Sequence, residues 1–472
     1  MVIDEMTMSD DKAAAFWTPA ISKAASPVYL AIADALSADI LSGRLTGGTR
    51  LPPQRTLADT LGIDFTTVSR AYAEARKRGL IEGKVGQGTY VRFKRPISIA
   101  STSNGLIDMS MNLPPRFNDP GVVARMWDGI GSLEADAGLD LLLRYQAAGG
   151  TSRDRAAGAQ WLSSRLEAVN PDHVLICSGA QGALLTVTAA LAAPGETVCV
   201  EALTYPGFLP LAAHLRLNLV GVPIDNEGLL PDAFDAACVE HKPKALYCTP
   251  TLHNPTTATL SLERREALLS VARRHHVPII EDDAYGALPE NPIPPLAALG
   301  PELVYHIASL SKCLAPALRI AFLVAPDLRT ATRLAGGIRA TAAMVSPLAA
   351  AIATSWIEDG TAEAVLRAIR AETKARQSIA KQILPGDKVI ADPEGFHAWL
   401  QLTPPWTRGE FVARLRSAGI GAVASDAFAV TTPPEAVRLG LGAPATQAEL
   451  IQSLEIVADL LATSPASALM VV

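Results

Sequence analysis

The chain has 472 residues, too many for one ordinary core, and its 49% hydrophobic and 19% charged content excludes wholesale disorder. The formal net charge of -6 hides two unlike parts: residues 44–95 hold eleven basic side chains against four acidic ones, about +7, so the remainder is acidic. A basic module on an acidic body points to an anionic partner for the module alone, most simply nucleic acid. Cys177, Cys199, Cys238, Cys248 and Cys313 show no metal-ligand spacing, so no metal site is expected and a reducing compartment fits. The start, MVIDEMTMSDDK, lacks the basic and apolar regions of a secretory signal, and no run reaches the roughly 18 apolar residues of a membrane span. A cytoplasmic protein without a membrane partner is expected.

In chain order, the sequence predicts a leader over 1–25, a compact helical module over 26–95 and a linker over 96–111. A large α/β unit over 112–345 and a smaller α+β domain over 346–472 follow. The module opens with a helix over 27–41, with Ser26 as candidate cap, Pro27 in the first turn and Gly43 as stop. A short helix over 55–61 ends at Gly62, and a third runs from near Thr66 to Gly79, carrying Arg70, Arg76, Lys77 and Arg78. Two short helices around a glycine turn fit helix-turn-helix geometry. LIEGKVGQGTYVRF then alternates apolar and polar residues on both sides of Gly86-Gln87-Gly88, which predicts a hairpin wing.

Beyond the linker, β-type runs at 173–177, 197–200, 217–222, 244–248, 277–280, 303–307 and 320–325 alternate with helical patterns. That alternation predicts a mostly parallel sheet covered on both faces. Several runs end in polar residues. HVLICSGAQGAL passes from strand through Ser178, Gly179 and Ala180 into a helix, a seat for an anion. VCVEALTYPG places Tyr205 beyond a strand, ALYCTPTLHNP delivers Asn254, VPIIEDDAYG delivers Asp282 and Tyr285, and VYHIASLSK delivers Ser309, Ser311 and Lys312. Open α/β sheets bind ligands at that end of their strands. An amine nucleophile, a carboxylate, an amide, phenols and an anion seat in one crevice match pyridoxal-phosphate chemistry. His275 and His276 close a helix with no completing ligand, and no dinucleotide or Walker signature is present.

The run LPPQRTLADTLGIDFTTVSRAYAEARKRGLIEGKVGQGTYV resembles the winged helix-turn-helix of GntR-family regulators. The resemblance implies that Arg55, Thr66, Thr67 and Arg70 meet operator DNA, with Gln87 and Gly88 in the wing. Phe65 stands where the family often has arginine. The order SGAQ, TY, HNP, DDAY and SLSKCLAPALR resembles the aminotransferase-like domain of the MocR subfamily, a fold type I transferase. By that resemblance Lys312 forms the internal aldimine with pyridoxal 5'-phosphate, Asp282 pairs with the pyridinium nitrogen, and Asn254 and Tyr285 bond the 3'-oxygen. Tyr205 stacks on the ring. Ser178, Gly179, Ala180, Ser309 and Arg319 hold the phosphate, and Tyr145 reaches the phosphate of the other subunit of a homodimer. Arg438, in VRLGLG, matches the arginine that forks a substrate carboxylate. Two positions depart from the family's glycines, Thr257 and Ala321.

The sequence therefore predicts a DNA-binding transcription regulator that holds pyridoxal phosphate and senses the cofactor or an amino compound. The alternative is a metabolic aminotransferase with an appended DNA-binding domain. Turnover separates the two.

Overall fold

The computed structural model describes residues 17–19, 27–41, 44–45, 48–78, 80–84, 88–91, 106–137, 143–167 and 169–463. The chain divides into two compact units, Met1–Thr102 and Ser103–Val472.

In the first unit, helices Val28–Leu41, Gln54–Leu61 and Phe65–Lys77 precede a hairpin of Ile81–Lys84 and Gly88–Val91. The second helix stops at Gly62, whose φ of 62° is left-handed backbone that glycine adopts without a Cβ clash. Asp64 caps the third, its carboxylate accepting from the Thr66 N–H at 2.7 Å. Leu36, Leu51, Leu57, Val68, Tyr72, Ile81 and Val91 pack into one core, and the Tyr72 hydroxyl donates to the Pro52 carbonyl at 2.8 Å. The expected leader is not separate from this module at Trp17, whose indole packs on the core and donates to Asp39 at 2.8 Å. Ser26, Gly43, Gly79 and the wing turn with Gln87 lie outside the described residues.

The second unit is built on a seven-stranded sheet in the order Val174–Cys177, Ala321–Val324, Val304–Ser309, Ile279–Asp282, Ala245–Cys248, Thr197–Glu201 and Asn218–Val222. All neighbours are parallel except Ala321–Val324, which runs antiparallel to both of its own. Runs such as VLIC and VYHIAS are buried at every position, because helices cover both faces. A four-stranded antiparallel sheet, Val389–Ile390, His397–Gln401, Ala436–Gly440 and Val423–Ala424, forms the smaller domain with helix Gln447–Ala462. Among the described residues no helix is long and apolar enough to cross a membrane, and no cluster of His, Cys, Asp or Glu is placed to hold a metal.

Two expected boundaries move. The linker 96–111 ends early, because Ile107–Asp108 pairs with Ile420–Gly421 and Met109 is buried in the smaller domain's core. The smaller domain does not start at 346: helix Pro347–Glu358 packs on the large domain, and Trp356 donates to the Met126 carbonyl at 3.2 Å. The long helix Thr361–Ile383 bridges the two, with Val365 and Ile369 in the large core and Ala380 in the small one. Periodicity locates a helix but does not say which core covers its face.

Candidate functional site

The antiparallel strand explains how distant residues meet. Because Ala321–Val324 runs opposite to its neighbours, its start lies beside the ends of Val304–Ser309 and Val174–Cys177, with Ala321 paired to both Ser309 and Cys177. Arg319 therefore arrives where Ser178, Gly179, Ala180 and Ser309 leave their strands. Ser178 makes no side-chain cap at the start of helix Gly179–Leu191, so first-turn N–H groups remain available to an anion. Gly179 has φ +73°, and a Cβ there would stand 2.9 Å from the Arg319 guanidinium. Arg319 itself takes left-handed backbone, φ 53°. The methyl of Ala321, where the family has glycine, is fully buried between its two neighbours.

Asp282 ends its strand in the same crevice. Its Oδ2 accepts from the Tyr247 hydroxyl at 3.0 Å, while its Oδ1 is buried with no partner among the described residues. Burial raises this carboxyl to about 6. Tyr247 is held by stacking on Phe208, with ring centroids 4.0 Å apart. Lys312 Nζ donates to the Asn112 carbonyl and lies 6.0 Å from the Tyr285 ring centre. Burial, and then the Arg438 charge, lower its ammonium to about 8, with Asp282 opposing. The Tyr205 ring folds over Gly207, where a Cβ would stand 2.5 Å from it. Burial, then Asp282, raises its phenol.

The Tyr285 hydroxyl accepts from Asn112 Nδ2 at 2.8 Å, and burial raises the phenol's pKa. Asn254 Oδ1 accepts from Arg438 Nη1 at 2.8 Å. Arg438 is buried, donates also to the Ser110 carbonyl, and lies 5.0 Å from the Phe428 ring centre. The expected carboxylate fork is thus engaged within the chain. Thr257, with φ 65°, adopts the glycine-like conformation and is pinned by its N–H donating to the His253 carbonyl at 2.7 Å. Tyr145 is 89% exposed, and the structure does not bring it to these residues within one chain. Tyr247, Asn112 and Ser110 were missed from sequence. Tyr247 sits inside an apolar strand, Ser110 lies in the expected linker, and Asn112 is the first residue of the expected large unit.

In the first unit, Arg55 stands 5.9 Å over the Phe65 ring, so Phe65 is a platform for Arg55. Arg70 stacks on Tyr29 at 4.4 Å. The Thr66 hydroxyl is committed to the Asp64 carboxylate, whereas Thr67 has no such bond. Arg78 pairs with Asp34 at 2.5 Å and Glu74 at 2.9 Å, and Arg44 with Asp39 at 2.5 Å, which removes two cations from the expected DNA face. Among the described residues Arg50, Arg55, Arg76 and Lys77 have no acidic partner. Arg50, counted among the eleven basic residues but not singled out there as a DNA contact, has its guanidinium against Gly88, φ +116°, where a Cβ would stand 3.2 Å away.

Comparison with known proteins matches these units separately. The model for bacterial regulatory proteins of the gntR family covers residues 28–91, and that for aminotransferase class I and II covers 135–456. An uncharacterized HTH-type transcriptional regulator, YdeF of Bacillus subtilis, is 31% identical over 94% of this chain and 96% of its own length. PtsJ of Salmonella typhimurium, a vitamin B6 salvage pathway transcriptional repressor, is 27% identical over 87% of this chain and 93% of its own. Among solved structures, the kynurenine aminotransferase of Pyrococcus horikoshii aligns with a TM-score of 0.69 at 23% identity, over 76% of this chain and 91% of that one. The chain belongs to the GntR family of transcription regulators, in the MocR subfamily that joins a winged helix-turn-helix to a fold type I aminotransferase domain.

Proposed function

We propose that this regulator holds pyridoxal phosphate covalently on Lys312, admits an amino compound bearing a carboxylate, and changes its affinity for DNA with the occupancy of that site. The observation that carries the reading is the buried, unpartnered Oδ1 of Asp282 in the crevice that holds Lys312. A buried carboxylate oxygen without a donor is costly unless a ligand supplies one, and a protonated ring nitrogen does. Asn254 and Tyr285 fit the same ligand. Each has its acceptor function already taken by a neighbour, from Arg438 and Asn112 respectively, so each retains a donor for a phenolate oxygen. The helix start at Gly179, with Ser178, Ala180, Ser309 and Arg319, suits the phosphate, and Tyr205 the ring face.

When bound, the cofactor supplies an electron sink for carbanion chemistry. The chain's residues bind and orient it: Asp282 holds a proton on the ring nitrogen, and Lys312 provides the linking amine. Arg438 is the group for a carboxylate, once it leaves Ser110. Trp127, Leu143 and Tyr145 are 68%, 76% and 89% exposed, which supports a homodimer with Tyr145 directed to the other subunit's site. In the first unit we assign Arg55, Arg50, Thr67, Arg70 and Gly88 to DNA, and Gln87 by its place in the wing; Thr66 shapes the helix start.

Asp282→Asn tests the cofactor reading. Removing a charged hydrogen bond of about 2–3 kcal/mol should weaken cofactor binding on the order of a hundredfold in an absorbance titration. Unchanged affinity would remove Asp282 from the site. A second reading, a working transaminase, is favoured by the joint presence of Lys312, Asp282 and Arg438; sustained keto-acid production from an amino acid would select it.

A further inference from the structure

Residues 107–113 lie along one edge of the smaller domain. Ile107–Asp108 pairs with Ile420–Gly421, and the Gly440 N–H donates to the Met109 carbonyl at 2.8 Å. A Cβ on Gly440 would stand 2.4 Å from the Met111 carbonyl oxygen, and one on Gly442 2.0 Å from that of Leu113. The two glycines let the segment lie close against the strand that carries Arg438. Inside the crevice, the same segment holds three site residues. The Ser110 carbonyl accepts from Arg438, the Asn112 carbonyl accepts from Lys312, and the Asn112 side-chain amide donates to the Tyr285 hydroxyl. Asn112 is 6% exposed and its Oδ1 has no partner among the described residues. In sequence, the segment begins just after the boundary of the DNA-binding unit at Thr102.

We propose that residues 110–112 are a strap whose main-chain carbonyls stand in for ligands in the free protein, and that their release reports occupancy of the site toward the DNA-binding unit. The proposal rests on the reading that Lys312 takes the cofactor. As the Lys312 nitrogen bonds to the aldehyde carbon, the aldehyde oxygen leaves as water with the amine's two hydrogens. The Asn112 carbonyl then loses its donor. A carboxylate on an incoming amino compound is a stronger acceptor than the Ser110 carbonyl, because its bond to Arg438 is charge-assisted on both sides. Cofactor and effector thus each remove one anchor of the strap. Asn112 is a positioning residue here: its amide keeps the strap registered on Tyr285 while the carbonyl contacts change.

The test is hydrogen exchange in the full chain, read by mass spectrometry on peptides spanning 106–115, with and without pyridoxal phosphate. Absorbance records loading in the same samples. Loading should speed exchange in this segment about fivefold, the effect of one lost hydrogen bond of ordinary net strength. Asn112→Ala should load, exchange fast here even without cofactor, and change less than about twofold on loading. Its cofactor response in binding a duplex selected from random sequence should shrink by the same proportion. Loading by absorbance with unchanged exchange at 106–115 would overturn the strap while leaving the cofactor reading intact. An Asn112→Ala protein that loads and responds like wild type would overturn it as well. A wild-type chain that does not load overturns both.

Discussion

Lys312→Ala loses the cofactor's covalent attachment altogether, so borohydride fixes no pyridoxyl group on any lysine, while the protein keeps its fold. The fold survives because, among the described residues, the hydrogen bond that Lys312 Nζ makes is to a carbonyl of the strap, and its contact with the Tyr285 ring is a distant one at 6.0 Å. The reaction needs the free amine, and burial together with the Arg438 charge lowers the Lys312 ammonium to about 8. Below that pH the amine is mostly protonated and attachment slows as pH falls; above it the rate levels off. An ordinary lysine titrates near 10.4 and would give a rate still rising past pH 9. Stopped-flow absorbance across pH 6 to 10 checks this, and a reducible adduct on another lysine in the variant would refute the assignment.

Arg55→Ala weakens binding to a selected duplex by about ten- to a hundredfold at low salt, as for loss of a charged hydrogen bond of about 1.5–3 kcal/mol. It also flattens the dependence of log affinity on log salt by about 1, because one fewer phosphate is neutralised. Arg50→Ala behaves the same way, because its guanidinium lies against Gly88 without an acidic partner among the described residues. Arg78→Ala leaves the salt slope unchanged, since Arg78 is neutralised by Asp34 and Glu74. Thr67→Ala reduces discrimination between selected and random DNA more than general affinity. Titrations at four salt concentrations measure all of these. Wild-type slopes for both Arg55→Ala and Arg50→Ala would show that another face meets DNA.

The strand ends were legible because polarity changes abruptly there: apolar runs stop at Ser178, at the Glu281-Asp282 pair and at Ser309, and a parallel sheet gathers such ends at one side. Direction was less legible. Nothing in the sequence AFLV says that this strand runs antiparallel, yet that reversal sets Arg319 beside Gly179. Tyr247 was hidden because its ring belongs to a fully buried strand and reaches Asp282 only through the pairing of adjacent strands. Ser110 and Asn112 contact Arg438 and Lys312 across 328 and 200 residues of chain, and a short segment spanning the end of the expected linker carries no local sign of such contacts. The basic count over 44–95 overstated the DNA face, because Asp34 and Asp39, which neutralise Arg78 and Arg44, lie on the preceding helix. Thr66 illustrates a further limit: a hydroxyl at a helix start serves DNA and helix cap equally well in sequence, and here it serves the cap.

The most direct test of a regulator governed by its cofactor site is the affinity of the full chain for one selected duplex, measured with and without pyridoxal phosphate, in wild type and in Lys312→Ala. The account predicts a shift of about tenfold in wild type, equivalent to about 1.4 kcal/mol of coupling between the two sites, and none in Lys312→Ala, with both proteins binding random DNA alike. Equal affinities with and without cofactor in a wild-type protein shown by absorbance to be loaded would contradict it.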